Sequence, residues 1–311
     1  MPSSEQRFYY KQNRLKQLRA FCYAAQSGSI SRAAELMFLS QPSVSLLVKA
    51  LETNLNTVLF ERTGPRIRLT AEGRIMQELA QPLVESLESL PEVFAERCTR
   101  QIAGELHIAA GESSMLYILP DIVQQYRREY PGVRFHLHSV AGRDALGMLR
   151  ANEADLAVTS MLDAPEDITY RPIFSYDPIL LTPLDHPLNG LDEIGLEQIA
   201  EYGLIMPPRH LATARLTDLV FQQHALDYRI SMEASGWEII KEYVTRGLGI
   251  AIVSSLCLTG DERLRVTRLD RYFPKRTYGA ILRKGKYLSP AARHFVELLE
   301  AGAGVDRGTS L

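Results

Sequence analysis

The chain has 311 residues, 46% apolar and 23% charged, a balance that supports packed cores and, at this length, two or more folding units. No apolar run approaches the roughly 20 residues of a membrane helix, and the polar stretch Met1–Asn13 lacks the apolar run of a signal peptide, so a cytoplasmic protein with no membrane partner is expected. The net charge of −2 hides an asymmetry: residues 1–75 hold 11 Lys and Arg against 5 Asp and Glu, and the rest hold 24 against 32, the pattern of a basic nucleic-acid-binding head on an acidic body.

In chain order, Leu15, Leu18, Phe21, Cys22 and Ala25 recur at helical spacing, and Ser27-Gly28-Ser29 ends that helix. Ser31 is placed to cap a short second helix carrying Ala33, Ala34 and Leu36. Ser40 is placed to cap a third, with Pro42 tolerated in a first turn whose amides lack intrahelical partners. Val44, Leu47 or Val48, Leu51 and Leu55 give the third helix one buried stripe; Pro42, Ser43, Leu46, Lys49, Ala50 and Thr53 form its other face. Two short helices joined by a tight turn, the second polar at its start, make a helix-turn-helix. Gln41, Ser43 and Ser45 would then stand nearest the bases, since Gln can bond adenine through both halves of its amide and Ser can serve several bases. Leu59 to Arg62, the turn Thr63-Gly64-Pro65, and Arg66 to Leu69 read as a hairpin. Ile67 and Leu69 face one way, and Arg66 and Arg68 face the other, which makes a basic wing suited to phosphate or minor-groove contact. Taken as residues alone, the polar positions are explained equally well by capping and solvation, and the hairpin by a solvated edge.

The blocks Gly28-Ser29-Ile30-Ser31-Arg32-Ala33-Ala34-Glu35, Leu39-Ser40-Gln41-Pro42-Ser43-Val44-Ser45, Leu51-Glu52, Leu59-Phe60-Glu61-Arg62-Thr63 and Leu69-Thr70-Ala71-Glu72-Gly73, in that order and spacing, closely resemble the LysR-type transcriptional regulators. The resemblance implies an α+β multidomain chain. A winged helix-turn-helix would span 14–71 and a linker and dimerisation helix 72–98. An α/β effector-binding domain over 104–311, similar to periplasmic binding proteins, would have subdomain I at about 104–177 and 278–305 and subdomain II at about 182–270. It implies as partners double-stranded promoter DNA with an interrupted palindrome, a small-molecule effector, a second copy or a dimer of dimers, and RNA polymerase. No cofactor, metal or catalysis is implied. The expected DNA-facing set is Ser31, Arg32, Gln41, Pro42, Ser43, Ser45, Leu46, Lys49, Arg62, Arg66 and Arg68. Two positions depart from the family pattern. Leu46-Leu47 stands where a polar pair, often Arg-Gln, is usual, so Leu46 is expected to meet a thymine methyl instead. Asn56 replaces a common glycine and is expected to alter the turn before the wing.

Thr70 can cap a long helix from Ala71 to about Arg97, in which Ile75, Leu79, Leu83, Leu87, Leu90 and Phe94 form one narrow seam. A lone helix cannot leave such a seam in water, so it pairs with the same helix of a second subunit or packs on the chain's own body. Pro82 and Pro91 should kink the helix or end it early. After Gly104, strands near 106–110, 133–138, 156–159, 179–182, 204–206, 229–233 and 250–253 alternate with helices near 114–128, 144–151, 191–200, 214–224 and 237–245, and a capped helix at 291–299 closes the chain. That alternation predicts parallel sheets covered by helices, and the resemblance puts crossings between subdomains near 177–182 and 270–278.

In open α/β sheets ligands sit beyond strand C-termini, at helix starts, where hydroxyls and free amides suit a small anion. The effector-binding candidates are Ser113, Ser114, Ser139, Thr159, Ser160, His210, Thr213 and Trp237, with Arg209 as a further cation. The family resemblance gives Ser113 and Ser114 the effector-binding hydroxyls, although N-capping and core packing explain several of the set. A transport-type binding protein lacks the basic head. An enzyme would show one of the familiar nucleophile, phosphate-loop or zinc-protease motifs, and none occurs here. Cys22, Cys98 and Cys257 are odd in number and widely spaced without a CxxC, which argues against a disulfide framework or structural zinc and leaves a redox switch at Cys98 or Cys257 as a third alternative. His136 and His138 share one strand face, but a metal site needs further ligands that the sequence does not display.

Overall fold

The computed structural model describes residues 4–63, 66–99, 102–161 and 163–302, with side chains over 14–61, 67–95, 102–161 and 163–302. The head opens with α1 (Ser4–Ser27), α2 (Ile30–Leu36) and α3 (Gln41–Leu55), followed by the hairpin β1 (Phe60–Thr63) and β2 (Arg66–Leu69). Phe21, Cys22, Val44, Val48, Leu51 and Leu59 form its core. Ser40 caps α3 by accepting from the Ser43 amide at 3.4 Å. The cap of α2 is Ser29, which accepts from the Arg32 amide at 3.3 Å. Ser31, expected at that cap, lies inside the first turn, because the helix begins at Ile30, two residues after Gly28 turns the chain with φ 61°. Asn56 ends α3 at φ 50°, ψ 42°, the left-handed conformation asparagine tolerates, so the turn expected to change keeps the geometry a glycine would give it. The wing is tied to the head by the Ile67 amide, which donates to the Gly28 carbonyl at 3.2 Å.

The connecting segment is two helices, α4 (Ala71–Glu88) and α5 (Leu90–Thr99). Thr70 caps α4 through the Gly73 amide at 2.9 Å. Gly73 is obligatory in this packing, since a Cβ there would fall 2.2 Å from the Leu59 carbonyl oxygen. Pro82 lies inside α4 without ending it, whereas the chain breaks at Ser89 ahead of Pro91. Ala80 and Val84 are buried against the head, while Ile75, Leu79, Leu83, Leu90 and Phe94 are exposed, Leu79 at 65%.

The body follows as β3 (Ala103–Ala110), α6 (Glu112–Tyr117), α7 (Leu119–Glu129), β4 (Gly132–Ser139), α8 (Gly142–Arg150), β5 (Leu156–Ser160), β6 (Ile168–Tyr176), β7 (Pro178–Thr182), α9 (Leu196–Ala200), β8 (Gly203–Met206), α10 (Ala212–Gln223), β9 (Arg229–Glu233), α11 (Trp237–Thr245), β10 (Ala251–Ser254), β11 (Arg265–Arg268), β12 (Arg276–Arg283) and α12 (Pro290–Ala301). One sheet has the order β4-β3-β5-β12-β6. The other joins β10-β7-β11 to the β8-β9 pair through a parallel bridge between Leu204 and Ile250. The chain passes from the first sheet to the second at Asp177 and returns between β11 and β12.

The body departs from the sequence expectation in its sheets and in two of its helices. The sheets are mixed rather than parallel: β12 runs antiparallel to β5 and β6, and β7 antiparallel to β10 and β11. Strands β6, β11 and β12 carry no sequence expectation. A strand that arrives from the other sheet enters its new sheet from the far end, so it pairs in the opposite direction. The long helix expected over 114–128 is two helices with the junction at Ile118, ahead of Pro120, which has no N–H to continue the helical ladder but is tolerated in a first turn. The helix expected from Leu191 begins only at Leu196. Among the described residues, no helix is long and apolar enough to cross a membrane.

Candidate functional site

Two regions gather the expected residues. On the head, burial of Val44, Val48 and Leu51 turns the opposite face of α3 outward. Gln41, Pro42, Leu46 and Lys49 are exposed, Leu46 at 68%, and Ser43 and Ser45 are half-buried. The Gln41 amide nitrogen donates to the Ser45 hydroxyl at 3.4 Å, and the Ser40 and Ser43 hydroxyls are 2.8 Å apart. Ser31 and Arg32 are exposed on α2, with Arg32 paired to Glu35. In the wing, Glu61 lies opposite Arg68, which is exposed; the side chains of Arg62 and Arg66 lie outside the described residues. One residue on this surface was not anticipated. Phe38, in the turn between α2 and α3, is 95% exposed at φ 54°. The signal was present, since an aromatic in a two-helix turn has no core to enter.

The second region is the cleft between the sheets. Ser160, at the C-terminal end of β5, accepts from Nε of Arg276 at 3.2 Å. The same guanidinium donates to the hydroxyl of Thr213 at the start of α10, on the other sheet. The cation also lies 5.5 Å from the centre of the Tyr278 ring, and among the described residues it has no carboxylate partner. The buried Tyr278 hydroxyl faces Ser113 on α6 and Ser254 on β10 without a well-formed hydrogen bond to either. Burial raises the Tyr278 pKa, opposed by Arg276 and these two hydroxyls. The Ser114 hydroxyl and the Trp237 indole nitrogen are buried without hydrogen-bond partners. Thr159 stands against Gly111, with its hydroxyl 3.2 Å from where a Cβ there would fall. Across the cleft, Gly236 at φ 88° admits the Glu112 carboxylate to within 2.6 Å of where a Cβ would sit, so the two helix starts meet.

Ser113, Ser160 and Thr213 are thus brought together, but around two residues the sequence reading did not select, Arg276 and Tyr278. Their stretch reads as a featureless crossing, and nothing local marks either side chain. Ser139 and His210 are exposed at the end of β4 and ahead of α10, and no hydrogen bond joins them to Arg276 or Tyr278. Beside the cleft, Lys241 is buried with its ammonium 2.8 Å from both Glu238 and the Cys257 carbonyl. Burial pushes the Cys257 thiol up to about 12, against the lowering effect of Lys241.

The chain matches two family models: "Bacterial regulatory helix-turn-helix protein, lysR family" over residues 15–74 and "LysR substrate binding domain" over residues 99–304. It is 31% identical over 288 residues to the RuBisCO operon transcriptional regulator of Allochromatium vinosum, covering 92% of this chain and 95% of that one. Its fold is similar to that of a full-length OxyR variant from Pseudomonas aeruginosa, with a TM-score of 0.68, 24% identity and 94% of each chain covered. The body alone is similar to the CcmR regulatory domain of Synechocystis PCC6803 in complex with 2-PG, with a TM-score of 0.61, 24% identity, 65% of this chain covered and 99% of that one.

Proposed function

The chain belongs to the LysR family of transcriptional regulators, and from that premise we propose that it reads promoter DNA with α3 and the wing and answers to a small anion held at Arg276 between its two sheets. The body is the effector-binding part, and the paired subunits of an oligomer present two heads to half-sites about one helical turn apart. Gln41, Ser43, Ser45 and Leu46 contact base edges, while Ser31, Arg32, Lys49, Arg62, Arg66 and Arg68 contact phosphates. The chain works in the cytoplasm and catalyses nothing.

The observation that carries the effector reading is the Arg276 guanidinium. It hydrogen-bonds a hydroxyl on each sheet and has no counter-charge among the described residues. A planar guanidinium in that state is a ready bidentate partner for a carboxylate or phosphate. Ser113, Ser114 and Thr159 supply further hydroxyls, and Trp237 and Tyr278 supply walls. An anion bridging Arg276 and the start of α10 binds the closed arrangement of the sheets more tightly than the open one. It therefore shifts the angle between them and, through the paired subunits, the spacing of the heads on DNA.

A thermal-shift screen of small carboxylates and phosphate esters tests this reading. A binding anion raises the melting temperature, and Arg276→Gln removes the shift without lowering the unliganded melting temperature by more than a few degrees. A full shift retained in Arg276→Gln overturns the site. For the head, binding to a promoter fragment should fall steeply with salt, and a salt-insensitive affinity overturns the phosphate assignment.

A further inference from the structure

The paired strands β3 and β4 carry a cluster of side chains that neither DNA reading nor the cleft uses. Their parallel register sets His107 beside His136 and Glu105 beside Arg134, with His138 beside Ala109. Side chains alternate along a strand, so Glu105, His107, Arg134, His136 and His138 all stand on one face, while Leu106 and Ile108 enter the core on the other. One carboxylate oxygen of Glu105 lies 3.6 Å from Nε2 of His107 and 3.6 Å from Nε2 of His136. The other oxygen is held by Arg134 at 3.2 Å. Nδ1 of His107 is 3.4 Å from Nε2 of His138, and Nε2 of His136 is shielded from solvent with no hydrogen-bond partner.

These are the parts of a metal site. An ion that binds nitrogen and oxygen at about 2.1 Å in tetrahedral geometry holds its ligand atoms about 3.4 Å apart; the Glu105 oxygen lies 3.6 Å from each histidine nitrogen, and all three ligand atoms lie within 4.8 Å of one another. A histidine that ligates through one nitrogen characteristically gives its other N–H to a neighbour, which fixes the tautomer; His138 is that neighbour for His107, and Arg134 does the same for the carboxylate. Simple ring packing explains the stacking of His107 on His136, with centroids 4.3 Å apart, but it leaves the shielded His136 nitrogen unsatisfied, and such a group is costly to leave so.

We propose that Glu105, His107 and His136 bind one late first-row divalent transition ion, with zinc as the reference ion, a water in the fourth position, and His138 and Arg134 as positioning residues. Imidazole suits this class of ion and two imidazoles disfavour magnesium or calcium. The side chains are partly open to solvent, so the ion has a path in. It clamps the edge strand β4 onto β3.

Calorimetric titration of the tag-free, chelator-stripped full-length protein with zinc chloride tests the site, alongside the cobalt(II) absorption spectrum. One zinc per chain is expected, with a rise in melting temperature. Affinity should fall at least about tenfold in His107→Ala and in His136→Ala, less in His138→Gln, and stay unchanged in Cys98→Ser. Cobalt should show ligand-field bands without thiolate charge transfer. The absence of stoichiometric zinc, equal affinity in the His107→Ala/His136→Ala double variant, or a thiolate band overturns the proposal. Glu105→Gln, at an exposed position, supplies the same comparison if a histidine variant melts early in chelator.

Discussion

At the residue scale, the thiols and Leu46 invite direct tests. Cys22 and Cys257 are fully buried. Burial pushes both thiols up to about 12, with Glu85 and Glu88 adding to the effect at Cys22 and Lys241 partly opposing it at Cys257. The thiolate is the reactive species, so neither cysteine should alkylate in the native protein at neutral pH, and both should in urea. Peptide mapping after iodoacetamide checks this, and native labelling of Cys257 would revive a redox role for it. Leu46 is a large apolar side chain at 68% exposure on the outward side of α3, which is unfavourable unless something covers it. If that cover is a thymine methyl, Leu46→Ala should weaken specific promoter binding by about 1 kcal/mol while leaving non-specific binding unchanged. Titration of the two DNA classes at one salt concentration separates these terms.

At the element scale, caps and faces carry the predictions. Ser40→Ala removes the acceptor for the Ser43 amide and should cost about 1 kcal/mol of head stability, read as a lower denaturant midpoint. The exposed seam of α4 continues into α5 through Leu90 and Phe94, while the opposite side of α4 is already committed to the head core through Ala80 and Val84. The chain's own body therefore does not cover the seam among the described residues, and the partner we propose for it is a second copy. Two charges there, Leu79→Glu with Leu83→Glu, should split the oligomer in sedimentation experiments and leave the helical circular dichroism of the head intact.

At the scale of the whole molecule, a buried carboxylate ties α4 to the body, beside the packing of α5 on β3 and α12. Glu85 of α4 accepts from Gln81 at 2.8 Å, from Asn152 after α8 at 2.7 Å, and from Arg283 at the end of β12. Glu85→Ala strands Arg283 with no carboxylate partner in a largely buried place, at a cost of about 3 kcal/mol. It should also loosen the proposed coupling between cleft and heads, so DNA affinity would respond less to effector. Acid should unfold the body through its paired carboxylates. Asp167 is held below the usual range by hydrogen bonds from Arg150 against the opposing effect of burial. At Glu262 burial raises the pKa, but the backbone amides of Thr259 and Gly260 outweigh it and the net shift is downward. A group with a depressed folded pKa contributes stability that is present above its unfolded value, near about 4, and is lost as pH falls through the folded value. Urea midpoints should therefore hold down to about pH 5 and drop progressively as the pH falls past about 4, less in Asp167→Asn than in the parent.

The amino-acid sequence determined what lies within about ten residues of itself. The caps at Ser40 and Thr70, the buried stripe of α3, the break before Pro91 and the strand-helix rhythm of the body are all written in local spacing, and the ordered blocks of the head carried the family. The alternation of helices and strands left open which sheet each strand joins, because a strand's partner is chosen by burial and closure across a hundred residues or more. Only the tertiary structure could bring β12 home to the first sheet, and with it set Arg276 between Ser160 and Thr213. The same holds at the sheet edge: His136 and His138 were legible as a pair, but His107 and Glu105 join them only because β3 and β4 lie parallel in one register. Local periodicity fixes which way a side chain points along its own element, and long-range pairing decides what it meets there.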